Sequence, residues 1–138
     1  MPATPVVLIV DDEPMVYQSL RRALQREQME TLQANDGDEA LKLMGSKPAD
    51  VVIVDEHMPG LRGNLLLAKI RQQWPAAIRM MLTGDSRPET IINAINNGGV
   101  ERFFLKPANE IDIVKQVREA LKRRAAKGGP LRPSPQPR

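Results

Sequence analysis

Along this chain the apolar residues keep two periods in alternation. Val6-Val7-Leu8-Ile9-Val10 is an unbroken aliphatic run, the pattern of a parallel strand covered on both faces. Two acids and Pro14 follow, and proline suits the first turn of a helix. Val16, Leu20, Ala23 and Leu24 then recur at helical spacing. Glu30 to Ala34 reads as a short, more polar strand. Asp36-Gly37-Asp38 is a turn opening a helix that carries Ala40, Leu41 and Met44 and closes at Gly45. Val51 to Val54 is a second fully apolar strand. Leu65 to Trp74 predicts a helix stopped by Pro75, with Trp74 as its terminal packing residue. Ile78 to Leu82 predicts a strand, in which Met80 and Met81 read as core filler. Pro88 to Asn97 predicts a helix ended by Gly98-Gly99, and Arg102 to Leu105 a fifth strand. Ile111, Val114, Val117 and Leu121 space out a final amphipathic helix.

Five strands alternating with five helices predict an α/β domain with a doubly wound parallel sheet and helices on both faces. Such sheets bind ligands at the carboxyl ends of their strands. Asp11 and Asp12 stand after the first strand, Asp55 ends the third, Thr83 the fourth, and Lys106-Pro107 follows the fifth. Three carboxylates, a hydroxyl and an ammonium thus converge on one rim. Clustered carboxylates raise one another's pKa and are tolerated where a cation sits between them. Oxygen ligands without imidazole or thiolate select magnesium or a similar hard ion. Taken alone, Asp11-Asp12 is equally a helix-capping turn.

Composition narrows the chemistry. The 138 residues are 41% hydrophobic and 27% charged, ordinary usage for one globular domain. With no cysteine, disulfides, thiol catalysis and thiolate-held metals are excluded. The single histidine, His57, excludes any site needing two imidazoles. No aliphatic run approaches the length of a membrane span, and no signal peptide is visible; the expected setting is soluble and cytoplasmic. The net charge of +3 conceals an asymmetry: six cations and no acid lie beyond Leu121, so residues 1–121 carry −3. Residues 1–5 read as an N-terminal extension and 122–138 as a basic, Pro/Gly-rich tail or linker. That tail could attract phosphate nonspecifically, but no helix-turn-helix accompanies it. Aromatics at 3% also speak against a base-stacking surface.

The motifs Leu8-Ile9-Val10-Asp11-Asp12-Glu13, Asp55-Glu56-His57-Met58-Pro59-Gly60 with Gly63, Leu82-Thr83-Gly84 and Phe103-Phe104-Leu105-Lys106-Pro107 resemble, in this order and spacing, the receiver domain of two-component response regulators over residues 6–121. The resemblance implies a flavodoxin-like fold with strand order 2-1-3-4-5. It further implies a switch in which a sensor histidine kinase or phosphotransfer protein loads Asp55, rather than an enzyme acting on another substrate. Asp12 and Asp55 would bind Mg2+ directly, Asp11 largely through water, and the His57 backbone carbonyl would add a ligand. Thr83 would bond the phosphoryl group and Lys106 would pair with it. A cis Lys106–Pro107 peptide is implied as well. Phe103 falls at the switch-aromatic position, where tyrosine is common, so switching would work through packing. Repacking of the fourth helix, fifth strand and last helix is expected, with Ile95, Phe103 and Val114 lining the space.

The residues themselves agree with this chemistry, because a carboxylate can attack phosphorus to give an acyl phosphate. Leu82-Thr83-Gly84 with residues 94–104 resembles receivers fused to cyclic-di-GMP phosphodiesterase or histidine-kinase modules, and a homodimer is a further arrangement open to such a domain. Two alternatives compete. A magnesium phosphatase of the haloacid dehalogenase type wants a second Asp two residues after its nucleophile, where His57 stands. A DNA-binding regulator would have to act through the basic tail.

Overall fold

A strand without a polar side must be covered on both faces, and β1 (Val6–Val10) and β3 (Val51–Asp55) are buried along their whole lengths. In the computed structural model, which describes residues 4–56, 63–84 and 87–127, they form the centre of one sheet. With β2 (Glu30–Ala34), β4 (Ile78–Thr83) and β5 (Arg102–Leu105) the sheet is parallel throughout, in the order β2-β1-β3-β4-β5. Helices α1 (Pro14–Arg26), α2 (Gly37–Ser46), α3 (Gly63–Gln73), α4 (Pro88–Asn93) and α5 (Glu110–Ala126) lie between and after the strands. This is the expected doubly wound, flavodoxin-like arrangement.

The two-residue period of the strands divides the core in two. Val6, Leu8, Val10, Val52, Val54 and Met81 pack on one face with α2 and α3, and Trp74 belongs to the same cluster. Val7, Ile9, Val51, Ile53 and Met80 pack on the other with α1 and α5. Adjacent Met80 and Met81 therefore serve opposite cores, both fully buried.

Three local features depart from the sequence reading. The fourth helix is not uniform, because Ala94–Gly98 after α4 is a π-helical turn. The widened turn buries Ala94 and Gly98, and a Cβ on Gly98 would lie 2.9 Å from the Leu67 Cβ. Gly99 closes it in the left-handed region at φ 62°, where its N–H donates to the Ile95 carbonyl.

The predicted grouping of Ile95, Phe103 and Val114 around one space is corrected. Phe103 packs on the α2–α3 face and Val114 on the α1–α5 face. Ile95 is 48% exposed. The strand alternation that places Phe103 on one side sends its neighbour Phe104 to the other.

The boundary drawn after Leu121 falls inside α5, which runs on to Ala126. Lys122, Arg123 and Arg124 thus belong to the domain. Arg124 reaches the end of the sheet where β1 and β3 begin. Its Nη2 donates to Asp50 Oδ1 at 2.7 Å and its Nη1 to the Ala76 carbonyl at 3.0 Å. Asp50 is fully buried and accepts the Val6 N–H at 2.7 Å through its other oxygen. One carboxylate thereby ties β1, the start of β3 and α5. Residues 128–138, the rest of the expected tail, lie outside the described residues.

Removing one partner of a buried ion pair costs about 3–5 kcal/mol, because the other charge is left without compensation. Arg124→Ala should therefore lower the unfolding free energy by that order in urea denaturation. Lys127→Ala, one turn on and exposed, should change it by less than about 0.5 kcal/mol. Equal, small effects would mean that Arg124 is only part of a solvated tail.

Candidate functional site

Parallel register brings four strand ends to one edge. Val10 pairs with Val54, Asp55 with Leu82, and Thr83 with Leu105. Backbone hydrogen bonds extend that order one residue further. Asp11 N–H donates to the Ala34 carbonyl at 3.1 Å, Glu56 N–H to that of Leu82 at 2.9 Å, and Lys106 N–H to that of Thr83 at 2.9 Å. The Lys106–Pro107 peptide is cis, as expected. Gly63 begins α3 directly against the site. A Cβ there would lie 2.7 Å from the Asp55 carbonyl oxygen, closer than any side chain tolerates, so glycine is what lets α3 start at this place.

The edge so built collects the predicted charges. Carboxylate oxygens of Asp11, Asp12 and Asp55 lie within 4.8 Å of one another. Asp11 and Asp55 are buried and Asp12 is exposed. Asp11 Oδ1 accepts the Glu13 N–H at 2.9 Å, whereas its buried Oδ2 has no hydrogen-bond partner. Lys106 Nζ stands 2.9 Å from Asp55 Oδ1. Thr83, fully buried, donates its hydroxyl proton to Glu56 Oε1. Phe103 is half-buried in β5 on the α2–α3 side. His57 lies outside the described residues.

Electrostatics follow from this crowding. Burial, with the nearby charge of Asp55 adding to it, lifts the Asp11 carboxyl to about 6, although the Glu13 N–H works in the opposite direction. For Lys106, burial alone favours the neutral amine. The hydrogen bond to Asp55 and the negative charges of Asp55, Asp11 and Glu13 outweigh it, and the proton is held more tightly than in an ordinary lysine.

A buried carboxylate oxygen with no donor, close to two more carboxylates, is the environment a hard divalent cation satisfies. The donor set is all oxygen and suits magnesium better than zinc. Five of the predicted site residues, Asp11, Asp12, Asp55, Thr83 and Lys106, are thus at one edge. Glu56 is the residue that sequence reasoning left without a role. An acid directly after the strand-ending Asp55 was the available signal, but its contact with Thr83 depends on β3–β4 pairing.

A profile of the family described as the response regulator receiver domain matches residues 7–118. The hydrogenase transcriptional regulatory protein HoxA of Cupriavidus necator is 34% identical over 122 residues, covering 88% of this chain but 25% of HoxA. The aerobic respiration control protein ArcA of Escherichia coli is 31% identical over 121 residues, covering 87% of this chain and 50% of ArcA. The chain therefore spans a quarter to a half of these relatives. Among solved structures, the signal receiver domain of an HD domain-containing protein from Pseudomonas fluorescens Pf-5 superposes with a TM-score of 0.85 at 34% identity, covering 90% of this chain and 99% of that one. The CheY-like receiver domain protein of Methanospirillum hungatei JF-1 gives 0.86 at 25% identity, covering 91% of this chain and 99% of that one.

The Asp11 carboxyl has a directional consequence for stability. Its pKa stands at about 6 in the folded chain against 3.8 for a free side chain. Between these values the folded state keeps a proton that the unfolded chain releases. Stability from this group is therefore full below pH 3.8 and lost as the pH rises through about 6. The loss is about 3 kcal/mol at 1.36 kcal/mol per pH unit. Asp11→Asn, without divalent metal at pH 7.5, should stabilise the chain by about 1–3 kcal/mol and flatten its pH dependence between 4 and 6. Thermal melts across that range, with and without Mg2+, check this; an unchanged slope would mean that burial does not raise the Asp11 carboxyl.

Proposed function

This chain belongs to the response regulator receiver domain family, and we propose that it works as a phosphorylation-controlled switch whose phosphoacceptor is Asp55. The observation that carries the reading is the pairing of buried Asp55 with Lys106 at 2.9 Å beside two further carboxylates.

Phosphorylation forms a bond between an Asp55 carboxylate oxygen and phosphorus. The P–N bond of a phosphohistidine, or a P–O bond of acetyl phosphate, breaks, and the departing imidazole is reprotonated from solvent. Such transfers ask mainly for in-line positioning and cancellation of charge on the equatorial oxygens. Lys106, held protonated next to the acceptor, contributes one positive charge. Thr83 contributes a neutral donor fixed at the end of β4. Asp11, Asp12 and Asp55 would hold Mg2+, together with the His57 carbonyl. When bound, that ion supplies the remaining cancellation of charge.

The donor would be a sensor histidine kinase or phosphotransfer protein in the cytoplasm. Among the described residues no helix is long and apolar enough to cross a membrane. Met15 and Ile111 are 81% and 79% exposed. Met15 lines, with Lys106, a groove of about 460 Å3, so apolar surface for a donor protein lies next to the acceptor; Ile111 lines a separate pocket with Val114 and Lys115. The output surface would be the face of the fourth helix, β5 and α5, where Ile92, Ile95 and Leu105 are each about half exposed. A receiver from an HD domain-containing protein and the CAI-1 autoinducer sensor kinase/phosphatase CqsS of Vibrio cholerae are among the similar proteins. They support an output module of HD-domain or kinase type, and a homodimer through this face is a further arrangement. The chain itself would catalyse only its own phosphorylation and dephosphorylation. Of the six cations beyond Leu121, Arg124 is engaged with Asp50.

With acetyl phosphate and Mg2+, the wild-type chain should gain one phosphoryl group by intact mass spectrometry. Asp55→Asn should gain none, and chelating the metal should abolish labelling. Equal labelling of the two proteins would overturn the assignment.

A further inference from the structure

Glu56 is a charged side chain at the site that the mechanism above leaves unused. Its backbone is fixed to the end of β4 by the N–H donated to the Leu82 carbonyl at 2.9 Å. Its half-buried side chain accepts the Thr83 hydroxyl proton through Oε1. A hydroxyl has a single proton to donate. The carboxylate of Glu56 therefore takes the hydrogen bond that a phosphoryl oxygen on Asp55 would need from Thr83. We propose that Glu56 is an internal competitor of the phosphoryl group, a positioning residue that holds Thr83 in the unphosphorylated chain and must release it when Asp55 is modified. This rests on the reading of Asp55 as the phosphoacceptor.

The competition has two parts that differ in origin. The first is the hydrogen bond, charge-assisted because its acceptor is a carboxylate; phosphorylation transfers that donor to a new anion and deprives Glu56 of it. The second is repulsion between the Glu56 carboxylate and the charge of about −1.5 to −2 that a phosphoryl group brings. Both oppose phosphorylation, but only the first runs through Thr83. A double-mutant comparison at Glu56 and Thr83 separates them.

The probe is beryllofluoride, an acyl-phosphate mimic, titrated in Mg2+ against the full chain and followed by amide NMR shifts. Glu56→Ala should bind it roughly tenfold more tightly than wild type, the fold-change expected from about 1.4 kcal/mol. Glu56→Gln, which keeps an acceptor without the charge, should fall between the two. It also guards against a fold defect in the alanine variant, which melting curves would reveal. Without probe, both variants should shift the Thr83 amide and methyl resonances, because the hydroxyl has lost its charged acceptor. In the Thr83→Ala background, Glu56→Ala should tighten binding by clearly less than it does with Thr83 present. Unchanged affinity in both Glu56 variants would overturn the proposal, as would full additivity with Thr83→Ala, which would reduce Glu56 to a repelling charge. Failure of the phosphoacceptor reading looks different: beryllofluoride would not bind the wild-type chain, or would bind Asp55→Asn equally well, and the competitor role would fall with it.

Discussion

Like charges set the terms at this edge of the sheet, and the ion pair of Lys106 with Asp55 at 2.9 Å is what allows them to be held together. Asp55 ends β3 and Lys106 directly follows β5, with β4 between the two strands. Their meeting depends on parallel register across three strands, and that register depends on the two apolar cores that grip the sheet from either side. An edge strand that slipped by one residue would carry Lys106 away and leave Asp55 with Asp11 and Asp12 for company. The apolar scaffold and the charged rim are thus parts of one construction. The former supplies rigidity in a medium that magnifies electrostatics, and the latter uses it.

Much of this was legible in the sequence, because the signals are local. Val6 to Val10 and Val51 to Val54 have the length and β-branched composition of buried strands, and the residues after them fall into place once topology is granted. Asp36 likewise declares the start of α2, where its side chain accepts the Glu39 N–H at 2.8 Å. What escaped depends on contacts remote in the chain. The last turns of α5 are polar and basic and read as tail. They are held in the fold by Asp50, 74 residues earlier.

The π-helical turn belongs to the same class. It places Gly98 against Leu67 on α3, where a Cβ would not fit, and no local propensity announces it. The side on which Phe103 packs escapes the sequence for a different reason. Grouping it with Val114 treated the switch face as a single surface, whereas a strand sends neighbouring side chains to opposite sides. The hydrogen bond from Thr83 to Glu56 is invisible to any single-strand reading, since each residue's partner lies on the adjacent strand.

The pairing of Arg124 with Asp50 bears on how α5 can move. The helix has 17 residues, so it is about 25 Å long at 1.5 Å per residue. It starts a few residues after Lys106, where Asn109 caps it by accepting the Ile111 N–H at 2.8 Å. Near its far end, Arg124 is anchored to the opposite margin of the sheet. A rod fastened there cannot slide along its own axis without breaking a buried ion pair. It can only swing about that point, and a displacement close to Lys106 becomes a tilt of the helix, greatest at its first turn and vanishing at Arg124.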